Sequence, residues 1–405
     1  MIRNISDLVF FIGAITLVFL TTSTANFLGI EQVATVSTTI IFLFALFYLL
    51  QNVKILIEKK KNKSIIYYSV VILLISGMIF ASEDIVSSIN FLKDWLTPVI
   101  ILLYFENIKS NKRNILIKVL IIFFLVECFL GIYERFTSTL VFGSLKISGL
   151  NEYSENLNIE FRAQSLLGHP LNNAHMICIM LSCILISFIN NKYKLILLII
   201  GVCGILSFNS RVATIAIFIV AFFYFLMARK NLTNKQYHYF TIIFIGIFTY
   251  ILYLMFTTDL GGRLIYGDRL MNGSANVRLK AFDIFTNFYN RNNLLFGLGK
   301  IDPFKLTENG YLNLMITLGI PAALLLISTQ AWIIFSRLHN MNIYGKIIIL
   351  TCFFVVGFSN NALASSTPFL MFCIWLSTFN KKRIKKGQNK IYTISNYQMQ
   401  TDKSV

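Results

Sequence analysis

The feature that most constrains this chain is a succession of long apolar segments separated by short polar connections. A run of about 17–25 mostly apolar residues can cross a bilayer as a helix, in which the backbone polar groups satisfy one another. Only 13% of the 405 residues are charged, against roughly a quarter in soluble proteins. The sequence therefore predicts an all-α fold: a polytopic transmembrane helical bundle of about twelve spans, in one integral membrane domain covering residues 1–405.

The apolar segments differ in how well they fit a span. Residues 89–105 are the weakest candidate because they carry Lys93, Asp94 and Pro98. Charge inside the spans is otherwise sparse, and we expect it to be limited essentially to Glu127, with Lys118 nearer a span end. The predicted spans are 8–28, 33–51, 65–81, 89–105, 115–133, 170–189, 194–208, 212–228, 239–257, 309–336, 345–359 and 362–379.

The distribution of basic residues predicts the orientation of these spans. Cytoplasmic loops of membrane proteins are enriched in Lys and Arg. With both termini in the cytoplasm, the inner segments hold roughly twice as many Lys and Arg as the outer ones, and the short outer loops have almost none. Residues 380–405 then form a basic cytoplasmic tail, and the first apolar run is a signal anchor. The net charge of +18 lies mostly beside spans, which favours contact with membrane lipids and argues against nucleic acid.

This orientation leaves two long loops on the outer face, residues 134–169 and residues 258–308. Within the second loop, the apolar positions of 277–290 predict an amphipathic helix lying on the membrane surface. Solvent-facing function is therefore expected in these two loops and in the helix ends beside them.

The first outer loop ends in polar residues that are candidates for chemistry. Arg162 can bind an anion, and His169 beside Pro170 can transfer a proton at the membrane surface. The alternative is an ordinary polar entry into a helix that begins at Pro170.

Further candidates lie at the starts of later spans and in the second loop. Arg211, after Ser210, either binds an anionic ligand or extends to lipid headgroups. Glu308 and Asn309 either cap the following helix or supply a general base at the outer face. Glu127, as an ionisable residue inside a span, is a functional hypothesis by itself.

Several classes of site are excluded by the residues that are missing. The chain has no DxD, HExxH, G-x-S-x-G or Walker pattern. The six cysteines all lie in apolar runs without metal-ligand spacing, and are predicted to be small buried side chains. Synthesis at an outer face has no nucleotide sugar available, so it needs an activated substrate such as a lipid diphosphate. Arginine side chains suit a diphosphate leaving group because the guanidinium neutralises and orients it.

Over residues 160–330 the sequence resembles the O-antigen polymerase and O-antigen ligase superfamily. The order of its motifs carries this resemblance more than any single motif. The motifs are Arg162 with Gly168-His169-Pro170, Ser210-Arg211, and the succession Arg278, Phe296-Gly297-Leu298-Gly299, Glu308-Asn309-Gly310-Tyr311-Leu312 and Leu318-Gly319-Ile320-Pro321.

The resemblance implies a glycosyltransferase of the cytoplasmic (inner) membrane, active on its periplasmic face. Such an enzyme polymerises oligosaccharide repeat units of O-antigen or capsule carried on undecaprenyl diphosphate, by inverting transfer without a metal or other cofactor. It implies that Arg162, Arg211, Arg278 and Asn309 bind the diphosphate or the sugars, and that Glu308 or His169 activates the acceptor hydroxyl. A protein that regulates chain length is a partner of such polymerases.

Two alternatives remain at this point. Ligases, which transfer glycan to the lipid A core, usually carry a histidine where this chain has Glu308, so that position favours a polymerase. A polysaccharide flippase or exporter, which is not an enzyme, predicts charged residues facing a central cavity in both halves of the chain. The sparse charge inside the predicted spans argues against that reading.

Overall fold

A computed structural model describes residues 62–82, 85–107, 110–142, 163–167, 170–187, 191–229, 310–339, 341–359 and 366–379. It also describes single residues and short stretches between 42 and 50, at 189, between 237 and 253, and between 283 and 297. The predicted spans 33–51 and 239–257 coincide only with such scattered helical residues, and span 8–28 lies outside the described part.

The described elements are helices, and no strand occurs among the described residues. We number the helices in chain order. They are α1 (Lys63–Ser82), α2 (Ile85–Asn107), α3 (Ser110–Thr137), α4 (Pro170–Ile186), α5 (Asn191–Ser207), α6 (Arg211–Ala228), α7 (Gly310–Leu318), α8 (Ile320–Leu338), α9 (Ile343–Ser359) and α10 (Ser366–Phe379).

Four of these helices (α1, α2, α3 and α8) contain segments long and apolar enough to cross a membrane, judged by length and composition. The shorter apolar helices α4, α5, α6, α9 and α10 pack with them. The prediction of an all-helical protein whose apolar helices suit a membrane is confirmed on this basis. Residues 89–105, the weakest candidate for a span, lie in α2, a helix of 23 residues that contains Pro98.

Contacts between the helices sort their termini into two opposite ends of the bundle. Only two residues separate α2 from α3, and the last turn of α8 pairs with the last turn of α2 through Arg337 and Glu106. We call this the ion-pair end; α2 and α8 finish there, and α3 and α9 begin there. At the opposite end, which we call the motif end, α3 and α5 finish and α4 and α6 begin.

Side-by-side contacts agree with this alternation. Helices α3 and α5 run parallel, because the glycines Gly201 and Gly204 lie against Phe124 and Cys128 in the same order along both helices. Neither glycine position has room for a Cβ, since Cys128 Sγ would lie within 2.9 Å of one placed on Gly204. Small residues therefore let the two helix backbones approach closely.

The predicted long span 309–336 is interrupted. Helix α7 ends at Leu318, and α8 begins at Ile320 after Gly319, which has φ +82°. An L residue with a side chain rarely adopts that conformation, and Pro321 can start a helix but cannot donate a backbone hydrogen bond within one. The single span predicted here is therefore two helices joined at a glycine.

Candidate functional site at the motif end

Glu134 fastens the first long loop to the bundle. It lies one turn before the end of α3 and is 1% exposed. Its Oε1 accepts a hydrogen bond from the Val141 amide at 3.0 Å, and its Oε2 accepts from the amides of Gln164 and Ser165 at 2.7 and 2.9 Å. Three backbone amides thus satisfy one buried carboxylate, and this carboxylate joins both ends of the loop to α3.

Glu127 lies two turns earlier on α3 and is equally buried. Its polar neighbours are the Ser165 hydroxyl and the Leu166 amide, but neither carboxylate oxygen makes a hydrogen bond of normal geometry within the described part of the chain. The Ser165 hydroxyl is directed at the Glu127 backbone carbonyl, at 3.4 Å. Two buried carboxylates on one face of α3, two turns apart, therefore have different environments.

The first turns of α4 contact the end of the first long loop. Asn173, fully buried, donates from Nδ2 to the Gln164 carbonyl. Its own Oδ1, like Gln164 Oε1, has no hydrogen-bond partner among the described residues. His175, one turn further along α4 than Asn172, is also fully buried. Residues 163–167 are thus held between α3 and α4 immediately before the position of His169.

The turn that precedes Arg211 packs against the same face of α3. Phe208 occupies the space beside Gly131, where a Cβ would overlap its ring. Gly131 lies between Glu127 and Glu134 along α3, so this contact brings the α5–α6 turn next to the two carboxylates. Ser210 caps α6: its Oγ accepts from the Ala213 amide at 3.4 Å, and Arg211 is the first residue of the helix.

Helix α9 connects the starts of α4, α6 and α7. Cys178 of α4 lies 4.0 Å from the Ala213 carbonyl of α6 and 3.4 Å, sulfur to sulfur, from Cys352 of α9. Two residues along α9, the Phe354 carbonyl accepts a hydrogen bond from the Tyr311 hydroxyl of α7 at 3.1 Å. Helix α9 therefore contacts α4, which touches the first turn of α6, and also contacts Tyr311 at the start of α7.

The two glycine motifs of the second half of the chain meet backbone to backbone. A Cβ on Gly297, which has φ +70°, would overlap the backbone of Thr317 and Gly319. A Cβ on Gly319 would overlap the carbonyl of Leu295. The structure thus seats Leu295 and Gly297 in the break between α7 and α8, and Gly297 and Gly319 are both required by that contact.

Most residues predicted from the sequence to form the site lie outside the described residues: Arg162, His169, Arg278, Glu308 and Asn309. Arg211 is described at the level of the backbone, as the first residue of α6. Described residues flank several of these positions. Ala163 follows Arg162 and is fully buried, Pro170 follows His169 and starts α4, and Gly310 follows Asn309 and starts α7.

The expectation that charge inside the bundle is limited essentially to Glu127 is wrong. Glu134 lies inside the candidate span Asn114–Thr137 and is buried, and Lys194 of α5 is 6% exposed. At the ion-pair end, Arg337 donates from Nε to Glu106 Oε1 at 2.8 Å and from Nη2 to Oε2 at 3.3 Å, and both side chains are nearly inaccessible. A prediction from hydropathy assigns charged residues at helix ends to the loops, and the buried charged residues named above lie near helix ends.

Glu134 and Asn173 are the residues of the motif end that the candidate list lacked. Glu134 had a recognisable signal, because a carboxylate in the last turn of a helix is unfavourable beside the helix C-terminus and needs donors from elsewhere. Among the described residues, no group of three or more His, Cys, Asp or Glu is arranged to hold a metal ion.

Comparison with known proteins adds no assignment to this geometry. No protein-family model matches the chain, and no curated protein matches its sequence.

Proposed function

We propose that this protein polymerises oligosaccharide repeat units of O-antigen or capsule that are carried on undecaprenyl diphosphate. The growing glycan would leave its diphosphate carrier and be transferred, with inversion, to a hydroxyl of the next lipid-linked unit. The proposal places the reaction at the outer face of the cytoplasmic membrane, in a bundle of about twelve spans with both termini in the cytoplasm.

One observation supports this proposal above the others: described residues within or beside the motifs of the family resemblance make contacts between helices that are far apart in sequence. Gln164 and Ser165 bond to Glu134 of α3, Phe208 in the turn before Ser210-Arg211 packs against Gly131 of the same α3, and Tyr311 joins α9 to the start of α7. A site that binds two lipid-linked substrates needs such convergence, because reacting groups must be held in contact geometry.

The roles follow from the chemistry of each residue type. Arg162, Arg211 and Arg278 would neutralise the diphosphate of the donor as the sugar–phosphate bond breaks, with Asn309 binding the glycan. Glu308 or His169 would accept the proton of the attacking hydroxyl. The apolar helices would hold the polyprenyl chains.

The test is complementation of a strain that lacks its own O-antigen polymerase, with the surface glycan resolved on a gel. The wild-type gene is expected to restore a ladder of repeat lengths. Arg211→Ala, Arg278→Ala and Glu308→Gln should each reduce chain length while the protein remains in the membrane at normal abundance. A single-repeat product with the wild-type protein would refute the proposal. Full ladders from all three variants would show that these residues do not have the assigned roles.

Deletion of the gene from its natural host separates polymerase from ligase. If deletion of the natural gene leaves long polymer attached to the lipid diphosphate, the protein transfers finished glycan to an acceptor. If deletion leaves only single repeat units on the final acceptor, the protein is the polymerase.

A further inference from the structure

Two buried thiols from distant parts of the chain lie in direct contact. Cys178 of α4 and Cys352 of α9 are separated by 174 positions in the sequence, and their side chains are 0% and 1% exposed. The Cys352 thiol donates to the Cys178 sulfur at 3.4 Å, and the Cys178 thiol is directed at the Ala213 carbonyl of α6 at 4.0 Å. No atom fits between two sulfurs at this distance, so they form a direct contact between the two helices.

The separation of the two sulfurs is close to what a disulfide requires. The bond of a disulfide is about 2.0 Å long, so the sulfurs must approach each other by roughly 1.4 Å. Small rotations of both side chains about their Cα–Cβ bonds move the sulfurs over distances of this size. Side-chain motion is therefore enough to bring the two thiols into bonding distance.

The other cysteines of the chain provide an internal comparison. All six cysteines are described and free. Cys183 is also fully buried on α4, but it follows Cys178 by five positions and so lies about 140° further around the helix. Cys183 is the competing partner for Cys352, and a test must separate it from Cys178.

We propose that Cys178 and Cys352 form an oxidative modification site, at which a small uncharged oxidant of the peroxide class converts the two thiols to a disulfide between α4 and α9. One thiol attacks the O–O bond of the peroxide, so that a sulfenic acid forms and water leaves. The other thiol then displaces the hydroxyl group as a second water and closes the S–S bond. Each sulfur loses one electron, and the two oxygens of the peroxide take up both.

Burial and contact together define the reagent and the product. Because both side chains are almost inaccessible, bulky or charged oxidants are excluded, and hydrogen peroxide is small and neutral. A sulfenic acid formed on either sulfur has the other thiol already in contact, so the second step is intramolecular and fast. This inference does not depend on the proposed function. The disulfide would tie the helix that follows the first long loop to α9, whose Phe354 carbonyl holds Tyr311 of α7.

The experiment treats the purified full-length protein in detergent with hydrogen peroxide and maps its linked peptides without reduction. In the folded protein, the pair Cys178–Cys352 should exceed any other cysteine pair by at least about tenfold, because contact raises the effective concentration of the second thiol. Dithiothreitol should remove the linked peptide. Protein unfolded before oxidation should give mixed pairs instead. Absence of the linked peptide from folded, oxidised wild-type protein would overturn the proposal.

Single alanine variants identify the partners. Cys178→Ala and Cys352→Ala should each abolish the linked peptide, and the remaining thiol of the pair should be recovered as a sulfenic acid trapped by dimedone. Cys183→Ala is the matched control on the same helix, and it should form the bond to the wild-type extent. A wild-type peptide that links Cys183 to Cys352 instead would refute the site, and this reading needs no variant to fold.

Discussion

Buried charged side chains have different kinds of partner at the two ends of the bundle. At the ion-pair end, Arg337 and Glu106 neutralise each other through two hydrogen bonds, and Ser336 adds a further contact to the guanidinium. At the motif end, Glu134 is satisfied by backbone amides of a long loop, and Glu127 has no hydrogen bond of normal geometry among the described residues. A self-contained pair holds helices together, whereas a carboxylate that depends on a loop couples the helices to that loop. The ion-pair end therefore serves as scaffold, and the motif end couples the bundle to the candidate site.

The largest effect is expected from opening the ion pair. Arg337→Met leaves Glu106 buried without its partner, which should cost about 3–5 kcal/mol of unfolding free energy. The double variant Glu106→Gln with Arg337→Met removes both charges and should regain most of that loss. Thermal unfolding in detergent measures both, and a single variant as stable as the double one would show that the pair is not the scaffold element described here.

Gly319→Ala should have the next largest effect. The added Cβ overlaps the Leu295 carbonyl and imposes a side chain on a residue with φ +82°, which should cost roughly 2 kcal/mol or more. We expect weaker docking of Leu295 and Gly297 against the helix junction, measured as increased protease cleavage in residues 258–308.

Gly77→Ala in α1 is the matched control for this change, because nothing lies within 4 Å of its Cβ position. It should leave cleavage unchanged and, if anything, stabilise the helix by up to about 1 kcal/mol. Equal behaviour of the two alanine variants would contradict the close contact at Gly319.

Glu134→Gln tests whether the first loop depends on this carboxylate. The amide presents one oxygen and one donor group to three backbone amides, so we expect a loss of about 1–3 kcal/mol. Hydrogen exchange at Gln164 and Ser165 should accelerate. Thr137→Val, which removes only bonds to Tyr133 and Thr139 in the last turn of α3, should leave exchange at those two amides as in the wild type.

The smallest effect is expected at the α6 cap. Ser210→Ala removes a side-chain bond of 3.4 Å to the Ala213 amide, and loss of an N-cap typically costs about 1 kcal/mol. The midpoint of chemical denaturation should fall slightly. Ser182→Ala in mid-helix, where the hydroxyl only bonds the Cys178 carbonyl of its own helix, should change it less; the reverse order would count against the cap.

The hydropathy of the sequence predicted the described helices well, because the apolarity of a segment depends only on its own residues. Residues 65–81 and 212–228 were expected as spans, and the helices are Lys63–Ser82 and Arg211–Ala228. The interruption at Gly319 was not predicted, although Gly319 followed by Pro321 is a signal for a helix end and a new start. The mean hydropathy is similar on both sides of Gly319. A prediction based on the length of an apolar run therefore does not detect the break between α7 and α8.

The pairing of side chains was less accessible from the sequence. Arg337 and Glu106 are 231 positions apart, and nothing local to either residue specifies the other. Glu127 is predicted as a functional candidate from its position inside a span, but its contacts with Ser165 and Leu166 depend on how the loop returns to the bundle. The arginines and acids assigned from the family resemblance remain predictions, to be tested by the glycan assay above.

The seating of Gly297 against Gly319 limits how this protein can be recombined with others. Leu295 and Gly297 fit closely against the junction between α7 and α8. A loop from another protein that replaces residues 258–308 will therefore dock only if its own helix junction comes with it. Chimeras of this protein should therefore exchange residues 258–338 as one cassette, with crossover points just before residue 258 and in the connection between α8 and α9.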